Sequence, residues 1–393
     1  MTNKPLLSET ALALRNLCAS CGLPKTGPKR VLVQRLRRAA KQFQPVPPAA
    51  RILSIDLGIR NFAFSLLSPV SPPRTSSSTQ VPNEPLNSPV HLHAWHRLDL
   101  TLPDAKGLER NAARKAAEPA LKEGVSEEEE KEGEEGDKED AYSPTALAAL
   151  TAHLVRARLL PLRPTHVLIE RQRFRTGGAA AVFEWTLRVN SLEAMLHAAF
   201  AALLRRKTWS PDAAGSGVGD VREGEGGWDG EVYSVLPRAV AGYLFPADDA
   251  VAASTSGAEV TGETNGEKRE GRKAGKAGAA YQLLKREKVA MLARYLTDQG
   301  LIIPEGAQTE EMVRLFIAGV EKRRDGKKKR RGEKNDVDRA TKSTETSVEH
   351  VAAKLDDLSD AVLQGMVWLQ WQKNMETLIK DRPELLSNEE RAT

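Results

Sequence analysis

Cysteine and long apolar runs are both scarce in this chain. Only Cys18 and Cys21 occur among 393 residues, so no disulfide framework is possible and a reducing compartment is expected. A lone CxxC without a second pair or a nearby histidine is weak support for zinc, and we predict both cysteines to be helix residues. No run of 18 or more apolar residues exists, so no membrane partner is predicted. The phosphate-binding pattern GxxxxGK[ST] is also missing, which argues against a nucleotide cofactor.

Charge is abundant but unevenly distributed. The formal net charge is +5, yet residues 118–140 hold twelve acidic side chains and three lysines, a local charge of −9. The rest of the chain therefore carries about +14, and residues 1–48 alone carry nine Lys or Arg against Glu9. So basic a chain is more typical of a protein that binds a polyanion, with nucleic acid as the first candidate, than of a basic protein without such a partner.

The first 45 residues predict a small helical module. "SETALALRNLCASCGL" and "KRVLVQRLRRAAKQF" both have apolar residues at helical spacing, and "PKTGPKR" breaks the helix between them. Residues 46–50 form a Pro-rich linker. The N-terminus lacks the apolar core of a signal peptide; it is poor in acids and contains arginines, which is compatible with organelle import.

Beyond residue 50 the chain predicts an α/β core interrupted by insertions. Strands are predicted in "RILSIDLGIRNFAFSLL" (two, with a turn at Gly58), "HLHAWHRLDL", "THVLIERQRF" and the start of "EVYSVLPRAVAGYLF". Helices are predicted at 144–160, 180–205, 281–296 and 354–372. Disordered insertions are expected near 68–90, 104–141, 210–230, 248–278 and 321–346, and a tail at 376–393. What remains is one mixed sheet flanked by helices.

Acidic residues stand at the ends of two predicted strands and at the start of the last helix. Asp56 ends the first strand on the face of Ile52 and Ser54, and Glu170 ends the fourth. The last helix adds Asp356, Asp357 and Asp360. If the two strands are neighbours and the helix crosses them, these carboxylates converge and repel one another unless a divalent cation neutralises them. Mg²⁺ prefers such oxygen ligands, and two such ions can promote phosphodiester hydrolysis.

Three segments, "SIDLGIRNFAF", "IERQRFRTGG" and "KLDDLSDAVLQG", resemble the fungal mitochondrial Holliday-junction resolvase family, a branch of the RuvC-type nucleases. The first 45 residues are similar to a SAP module. The resemblance implies an RNase H-like mixed five-stranded sheet over residues 51–375 and a homodimeric, mitochondrial endonuclease. It would cut four-way DNA junctions by paired nicks, using Mg²⁺, two ions per site, with Mn²⁺ as a substitute.

Matched onto this chain, the resemblance makes Asp56, Glu170 and the acids of the last helix metal ligands and catalytic residues. The D-x-x-D spacing of RuvC-type enzymes favours Asp357 over Asp356 as the partner of Asp360, although helix geometry permits both. The helix at 180–205, with Ala194, Leu196 and Ala198, is a candidate dimer surface.

Basic and polar residues near these acids, and on the N-terminal module, are predicted to contact DNA phosphates, and glycine lets the backbone approach closely. These residues are Gln172, Arg173, Arg175, Gly177, Arg188, Lys285 and Lys288, together with Lys29, Arg30, Arg35, Arg37 and Arg38.

Two other functions stay open from the sequence. One is a non-catalytic DNA-binding scaffold with an RNase H-like body, which clustered carboxylates argue against because they do not help to bind phosphates. The other is an RNase H-type nuclease acting on RNA–DNA hybrids. Trp368 and Trp371 are predicted to be core residues, and His91, His93 and His96 to be structural rather than metal ligands.

Overall fold

A computed structural model of the chain describes residues 9–70, 85–101, 142–172, 184–204, 227–246, 267–298, 300–329 and 355–386, with the backbone alone for 267–281 and 324–329. Six strands form one mixed sheet: β1 (Ile52–Asp56), β2 (Phe62–Pro69), β3 (Val90–Leu98), β4 (His166–Glu170), β5 (Glu231–Val235) and β6 (Ile302–Pro304).

The strand order in the sheet is β5-β4-β1-β2-β3-β6. The strands β1, β2 and β3 are antiparallel neighbours, whereas β4 runs parallel to β1 and β5 parallel to β4. Parallel pairing puts the carboxyl ends of β1 and β4 at the same edge of the sheet. The predicted α/β mixed sheet is therefore confirmed, and the first and fourth strands are neighbours, as the convergence of their acids requires.

Eight α-helices accompany the sheet in the described ranges. They are α1 (Ala11–Ser20), α2 (Lys29–Gln42), α3 (Pro144–Leu154), α4 (Glu184–Leu203), α5 (Pro237–Leu244), α6 (Glu267–Thr297), α7 (Ala307–Lys329) and α8 (Leu355–Asp381). A π-helical turn (Val155–Leu159) and a 3-10 turn (Leu160–Leu162) follow α3. Within the described residues, no helix is both long enough and apolar enough to cross a membrane.

The two faces of the sheet are covered by different helices. Ile52 joins the core cluster that α5, α6, α7 and α8 build, whereas Leu53, Ile55 and Leu57 join the cluster built by α3 and α4. This division follows the strand alternation predicted for β1. It places Asp56 on the face of Ile52, toward α8.

The helix α8 lies directly on the sheet because it is apolar on all sides and carries a glycine at the closest approach. Its residues from Ala361 to Trp371 are all buried. A Cβ on Gly365 would lie 2.6 Å from Leu67 Cδ1 and 3.2 Å from Ser54 Cβ, so a larger residue would push the helix off β1 and β2. The predicted core positions of Trp368 and Trp371 are confirmed by their 4% and 6% exposure.

The N-terminal helices pack against the far end of α8. Leu14, Leu32 and Leu36 form one buried cluster with Met375 and Leu378 of α8. Polar contacts frame this cluster: Asn374 Nδ2 donates to the Ser20 carbonyl (2.7 Å), and Arg382 pairs with Glu9 (2.7 Å). Gly22 lies so close to Trp371 that an added Cβ would be 2.4 Å from its ring.

Several predicted boundaries are wrong. The sheet has six strands rather than five, because β6 has only three residues and was too short for its pattern to be recognised. The last helix continues to Asp381, past residue 372, because Met375 and Leu378 still face a core. The helix predicted at 144–160 is confirmed, although its last residues, Val155–Leu159, form a π-helical turn. Parts of two predicted insertions, 267–278 and 321–329, are helical.

Other differences are smaller. The helix predicted at 180–205 is present over Glu184–Leu203, and its predicted ends, 180–183 and 205, lie outside the described residues. The insertion predicted at 68–90 is narrower, since β2 runs to Pro69 and Leu86 is buried. Cys18 lies in α1 as predicted, whereas Cys21 is the C-cap residue just after it, and both thiols are free and buried.

Candidate active site

Two acids meet where β1 and β4 end. The pairing of Ile55 with Ile169 puts Asp56 and Glu170 in adjacent positions, one residue further along each strand. Glu170 lies near enough to Asp56 to raise the pKa of the Asp56 carboxyl group. The Glu170 carboxylate also accepts hydrogen bonds from the Leu57 backbone N–H (3.2 Å) and from Gln172 Nε2 (3.2 Å), which fix its orientation.

The first turns of α8 bring two more acids to the same place. The charges of Asp360 and Asp357 both act on Asp56 and raise its pKa, so acids from three distant segments influence one another here. The N-terminal end of a helix carries a partial positive charge, which favours carboxylates there.

Mutual repulsion is the main electrostatic feature of this cluster. Burial, followed by the charges of Glu170, Asp360 and Asp357, raises the pKa of Asp56 well above its ordinary value. A carboxylate held in such a position gains from any positive charge that enters the cluster.

One positive charge is already present, from α6. Lys288 Nζ donates to Asp360 Oδ1 at 2.7 Å, and only 12% of the lysine side chain is exposed. Burial alone would lower the pKa of Lys288, but the charges of Asp360, Asp56 and Glu170 outweigh it and raise that pKa. Lys288 is therefore a counter-ion of the acid cluster.

Asp356 is held differently from its two neighbours. It pairs with Lys285. Although burial opposes the change, this ammonium group lowers the pKa of Asp356. The acids of α8 whose charges raise the pKa of Asp56 are Asp360 and Asp357, whereas Asp356 is paired with Lys285.

The donor chemistry of the cluster fits a hard divalent cation. All four groups offer carboxylate oxygens, and Mg²⁺ typically takes one or two protein carboxylates and completes its shell with water and substrate phosphate. Within the parts of the chain that the structure describes, no group of three or more His, Cys, Asp or Glu side chains could hold a metal ion. Mg²⁺ at this cluster would therefore bind one or two of the carboxylates and complete its shell with water and substrate oxygens.

The histidines of β3 belong to the structure of the sheet. His93 pairs with Glu305 (3.0 Å) and bonds Ser68 (2.8 Å), and His91 pairs with the same glutamate (2.6 Å). His96 lies against the ring of Phe64.

The structure brings some of the predicted DNA-contacting residues to the acids and places others elsewhere. Gln172 binds Glu170 and Lys288 binds Asp360 in the cluster, whereas Lys285 binds Asp356 beside it. Arg188 pairs with Glu184 and lies 4.0 Å over the ring of Tyr142, on the surface of α4. Arg173, Arg175 and Gly177 lie outside the described residues.

The predicted basic residues of α2 divide into two groups. Arg35 donates to the carbonyls of Pro24 and Thr26 (3.0 Å for the latter), so it shapes the loop before the helix. Arg30 and Arg38 are exposed, whereas Lys29 and Arg37 are half-buried.

Two residues that support the site were not predicted from the sequence. Glu193 of α4 accepts a hydrogen bond from the Gln172 backbone N–H (2.9 Å). Gln364 is buried, and its Nε2 donates to Ser54 Oγ and to the Ile55 carbonyl, both at 3.1 Å. The signal for Gln364 was available, because it is a polar residue inside the apolar run "AVLQGMVWL".

The fold and the site together define an α/β protein with a carboxylate cluster at one edge of a mixed sheet and a helical module at its N-terminus. A family model described as "Mitochondrial resolvase Ydc2 / RNA splicing MRS1" matches residues 52–378, and a SAP domain model matches residues 11–41. The chain belongs to the Ydc2/MRS1 family, and the predicted resemblance and SAP module are confirmed.

A curated relative and a solved structure are similar to this chain. The mitochondrial cruciform cutting endonuclease 1 of Schizosaccharomyces pombe is 30% identical over 185 residues, which cover 47% of this chain and 53% of the relative. The chain thus matches about half the length of that protein. The crystal structure of the yeast mitochondrial Holliday junction resolvase Ydc2 superimposes with a TM-score of 0.49 and 20% identity, covering 96% of this chain and 98% of the other.

Proposed function

We propose that this protein is a divalent-metal-dependent endonuclease that resolves four-way DNA junctions. The observation that carries the proposal is the carboxylate cluster of Asp56, Glu170, Asp357 and Asp360, which three distant segments assemble at one edge of the sheet. Family membership and the name of the S. pombe relative support the choice of a junction as substrate.

Each residue has a distinct role in the proposed mechanism. Asp56, together with Glu170, Asp360 and Asp357, would hold the ion. Mg²⁺ held there, or Mn²⁺ in its place, would supply the charge that activates water and stabilises the leaving oxygen of a phosphodiester. Gln172 and Glu193 hold Glu170 and its loop in position. Lys288, released from Asp360, is placed to contact a phosphate of the substrate.

A second candidate function has support from the family description, which also includes RNA splicing. A structured-RNA binder would use the same basic surfaces without cutting. The cluster of repelling carboxylates argues against this, because such acids weaken the binding of a polyanion unless a cation joins them.

One comparison of substrates tests the proposal. The full chain is offered a four-way junction, a linear duplex of the same sequence, an RNA–DNA hybrid and a folded RNA, each with Mg²⁺ and with EDTA. We expect symmetrical nicks in the junction in Mg²⁺ alone. Cleavage of the hybrid in preference to the junction would favour an RNase H-type nuclease, and tight RNA binding without any cleavage would favour the splicing role.

We also propose that the protein works as a homodimer in mitochondria. The mitochondrial site is supported by the family description and by the name of the S. pombe relative. Paired cuts at a two-fold symmetric junction require two active sites related by the same symmetry.

The dimer surface that we propose is the exposed stripe of α4. Leu187, at 48% exposure, begins a row that continues with Ala194 and Ala198. Leu196, which was part of the predicted dimer surface, is instead fully buried in the core of the same chain.

Replacing Ala198 with Glu should disrupt this dimer. A charge on the stripe opposes its burial against a second copy, so we expect the molecular mass measured by light scattering to halve. On a plasmid with an extruded cruciform, the variant should give nicked circles where the wild type gives linear product. Ala152→Glu, an equally exposed change on α3, is the control. An unchanged mass for Ala198→Glu would exclude this face.

A further inference from the structure

A row of residues crosses the sheet at the edge where the acids lie. Asp56 of β1 is directly opposite Ala63 of β2, and Ala63 is directly opposite Arg97 of β3. Residues opposite each other in antiparallel strands lie on the same face of the sheet, so Arg97 shares the face of Asp56. Two strand spacings, about 10 Å, separate their backbones. The row that begins with Glu170 and Asp56 therefore ends in an arginine.

The neighbours of Arg97 agree with this placement. Trp95, two residues earlier and thus on the same face, donates from Nε1 to the Leu358 carbonyl of α8 at 3.0 Å. Ala63 is fully buried, and its side chain is a single methyl group. The strand β2 therefore contributes only that methyl group between Asp56 and Arg97.

The guanidinium group is oriented by the turn between β1 and β2. Arg97 Nη1 donates to Asn61 Oδ1 at 3.2 Å. The same turn is tied to the end of β3, since the Leu100 backbone N–H donates to the Ile59 carbonyl at 2.8 Å. Asn61 is neutral, so it orients the guanidinium without cancelling its charge. A guanidinium carries five N–H donors and typically binds a phosphate through two of them.

The charge of Arg97 suits the demands of a polyanion at this edge. Four carboxylates repel a DNA strand that approaches them, so cations beside the cluster must hold the strand in place. Lys288 supplies one such cation from α6, where it pairs with Asp360. Arg97, which is half-buried, supplies another from the opposite direction, at the end of β3.

We propose that Arg97, oriented by Asn61, binds the phosphate next to the scissile one and so positions the DNA strand across the acid cluster. The inference rests on the proposed function, because it requires DNA in the site. Arg97 was not among the residues predicted from the sequence to contact DNA. Since its contact is with a phosphate, it fixes the position of the strand and reads no base.

Junctions that each carry one neutral methylphosphonate test this contact. The modification is moved in turn through the phosphates around the branch point, and binding by the full-length wild type and by Arg97→Gln is measured in Ca²⁺. At one phosphate we expect the modification to weaken wild-type binding about tenfold, as for the loss of a charge-assisted hydrogen bond. Arg97→Gln should bind the unmodified junction about tenfold more weakly and lose nothing further at that phosphate.

Two further variants separate this contact from a structural role of the arginine. Arg97→Lys keeps the charge without the planar fork, so it should bind better than Arg97→Gln and stay sensitive at the same phosphate. Arg156→Gln removes an exposed arginine from the π-helical turn after α3. This control should respond to every modification as the wild type does.

The sensitive phosphate should be the neighbour of the one that the wild type cleaves in Mg²⁺. Equal losses for wild type and Arg97→Gln at every phosphate would overturn the contact, and so would a wild type and Arg97→Lys that are insensitive at all of them. A sensitive phosphate several nucleotides from the cut would overturn the placement. If the wild type cuts no junction but shares one sensitive phosphate with Arg97, the proposed nuclease function fails while the contact stands.

Discussion

Asp56→Asn should lower the rate of junction cleavage about 10³-fold or more while leaving junction binding within about twofold of the wild type. A 10³-fold loss corresponds to about 4 kcal/mol of barrier, which is of the size expected when a central carboxylate is removed from a metal site. Binding should persist because the cations that meet DNA lie elsewhere. Single-turnover cleavage and a gel-shift titration in Ca²⁺ measure the two quantities.

The same substitution should not destabilise the fold. Asn has the shape of Asp, and it removes a charge that burial and three neighbouring acids disfavour, as the raised pKa of Asp56 indicates. The midpoint of thermal unfolding should therefore stay constant or rise. Glu310→Gln, which removes an exposed carboxylate from α7, is the control and should cleave normally. Nicking by Asp56→Asn at the wild-type rate in Mg²⁺ would remove Asp56 from the active site.

Lys288→Met should destabilise the protein strongly in the absence of divalent cations and much less in their presence. The change leaves Asp360 beside Asp56 and Glu170 without its nearest cation, and breaking such a buried pair typically costs about 3–5 kcal/mol. Because Asp360 is 28% exposed, we expect about 2–3 kcal/mol for this pair. Urea unfolding with EDTA and with millimolar Mg²⁺ measures both free energies.

Mg²⁺ should stabilise this variant more than the wild type, because the ion no longer competes with an ammonium group for Asp360. Two further variants separate charge from packing. The double variant Lys288→Met/Asp360→Asn removes both partners and should recover most of the lost stability. Lys285→Met, whose partner is Asp356, should show no added response to Mg²⁺. If the stability of Lys288→Met is the same with EDTA and with Mg²⁺, the cluster does not bind the ion.

The sheet and the acids were predictable from the sequence because both depend on short-range patterns. The alternation in "ILSID" put Asp56 on the face of Ile52, and the structure confirms it. The placement of Glu170 beside it depended on the first and fourth strands being neighbours, a condition that the parallel pairing of β1 and β4 meets. The strand β6 was missed because three residues are too few to show a period.

The contacts between distant elements could not be read from the sequence. Lys288 looked like a phosphate contact on a basic helix, and only the packing of α6 beside α8 shows that it pairs with Asp360. The end of α8 was predicted to be a tail because Glu376 and Lys373 interrupt its apolar pattern. Met375 is nevertheless buried, because it packs against residues from the start of the chain, such as Leu14, which lies 361 positions earlier. Arg35 was predicted to contact DNA like its basic neighbours, but its side chain donates a hydrogen bond to the Thr26 carbonyl in the loop before α2.

The buried amide of Gln364 has a consequence for how the site is kept in working order. Its two donors are satisfied at Ser54 and Ile55 only when α8 sits at one position along β1, and Ser65 makes the same demand through the carbonyl of Ala361 (2.9 Å). If the helix moved by one turn, about 5.4 Å, these buried polar groups would lose their hydrogen-bond partners, and each would cost about 1–3 kcal/mol. These hydrogen bonds of Gln364 and Ser65 thus fix the position of α8 along β1, and with it the position of Asp357 and Asp360 relative to Asp56.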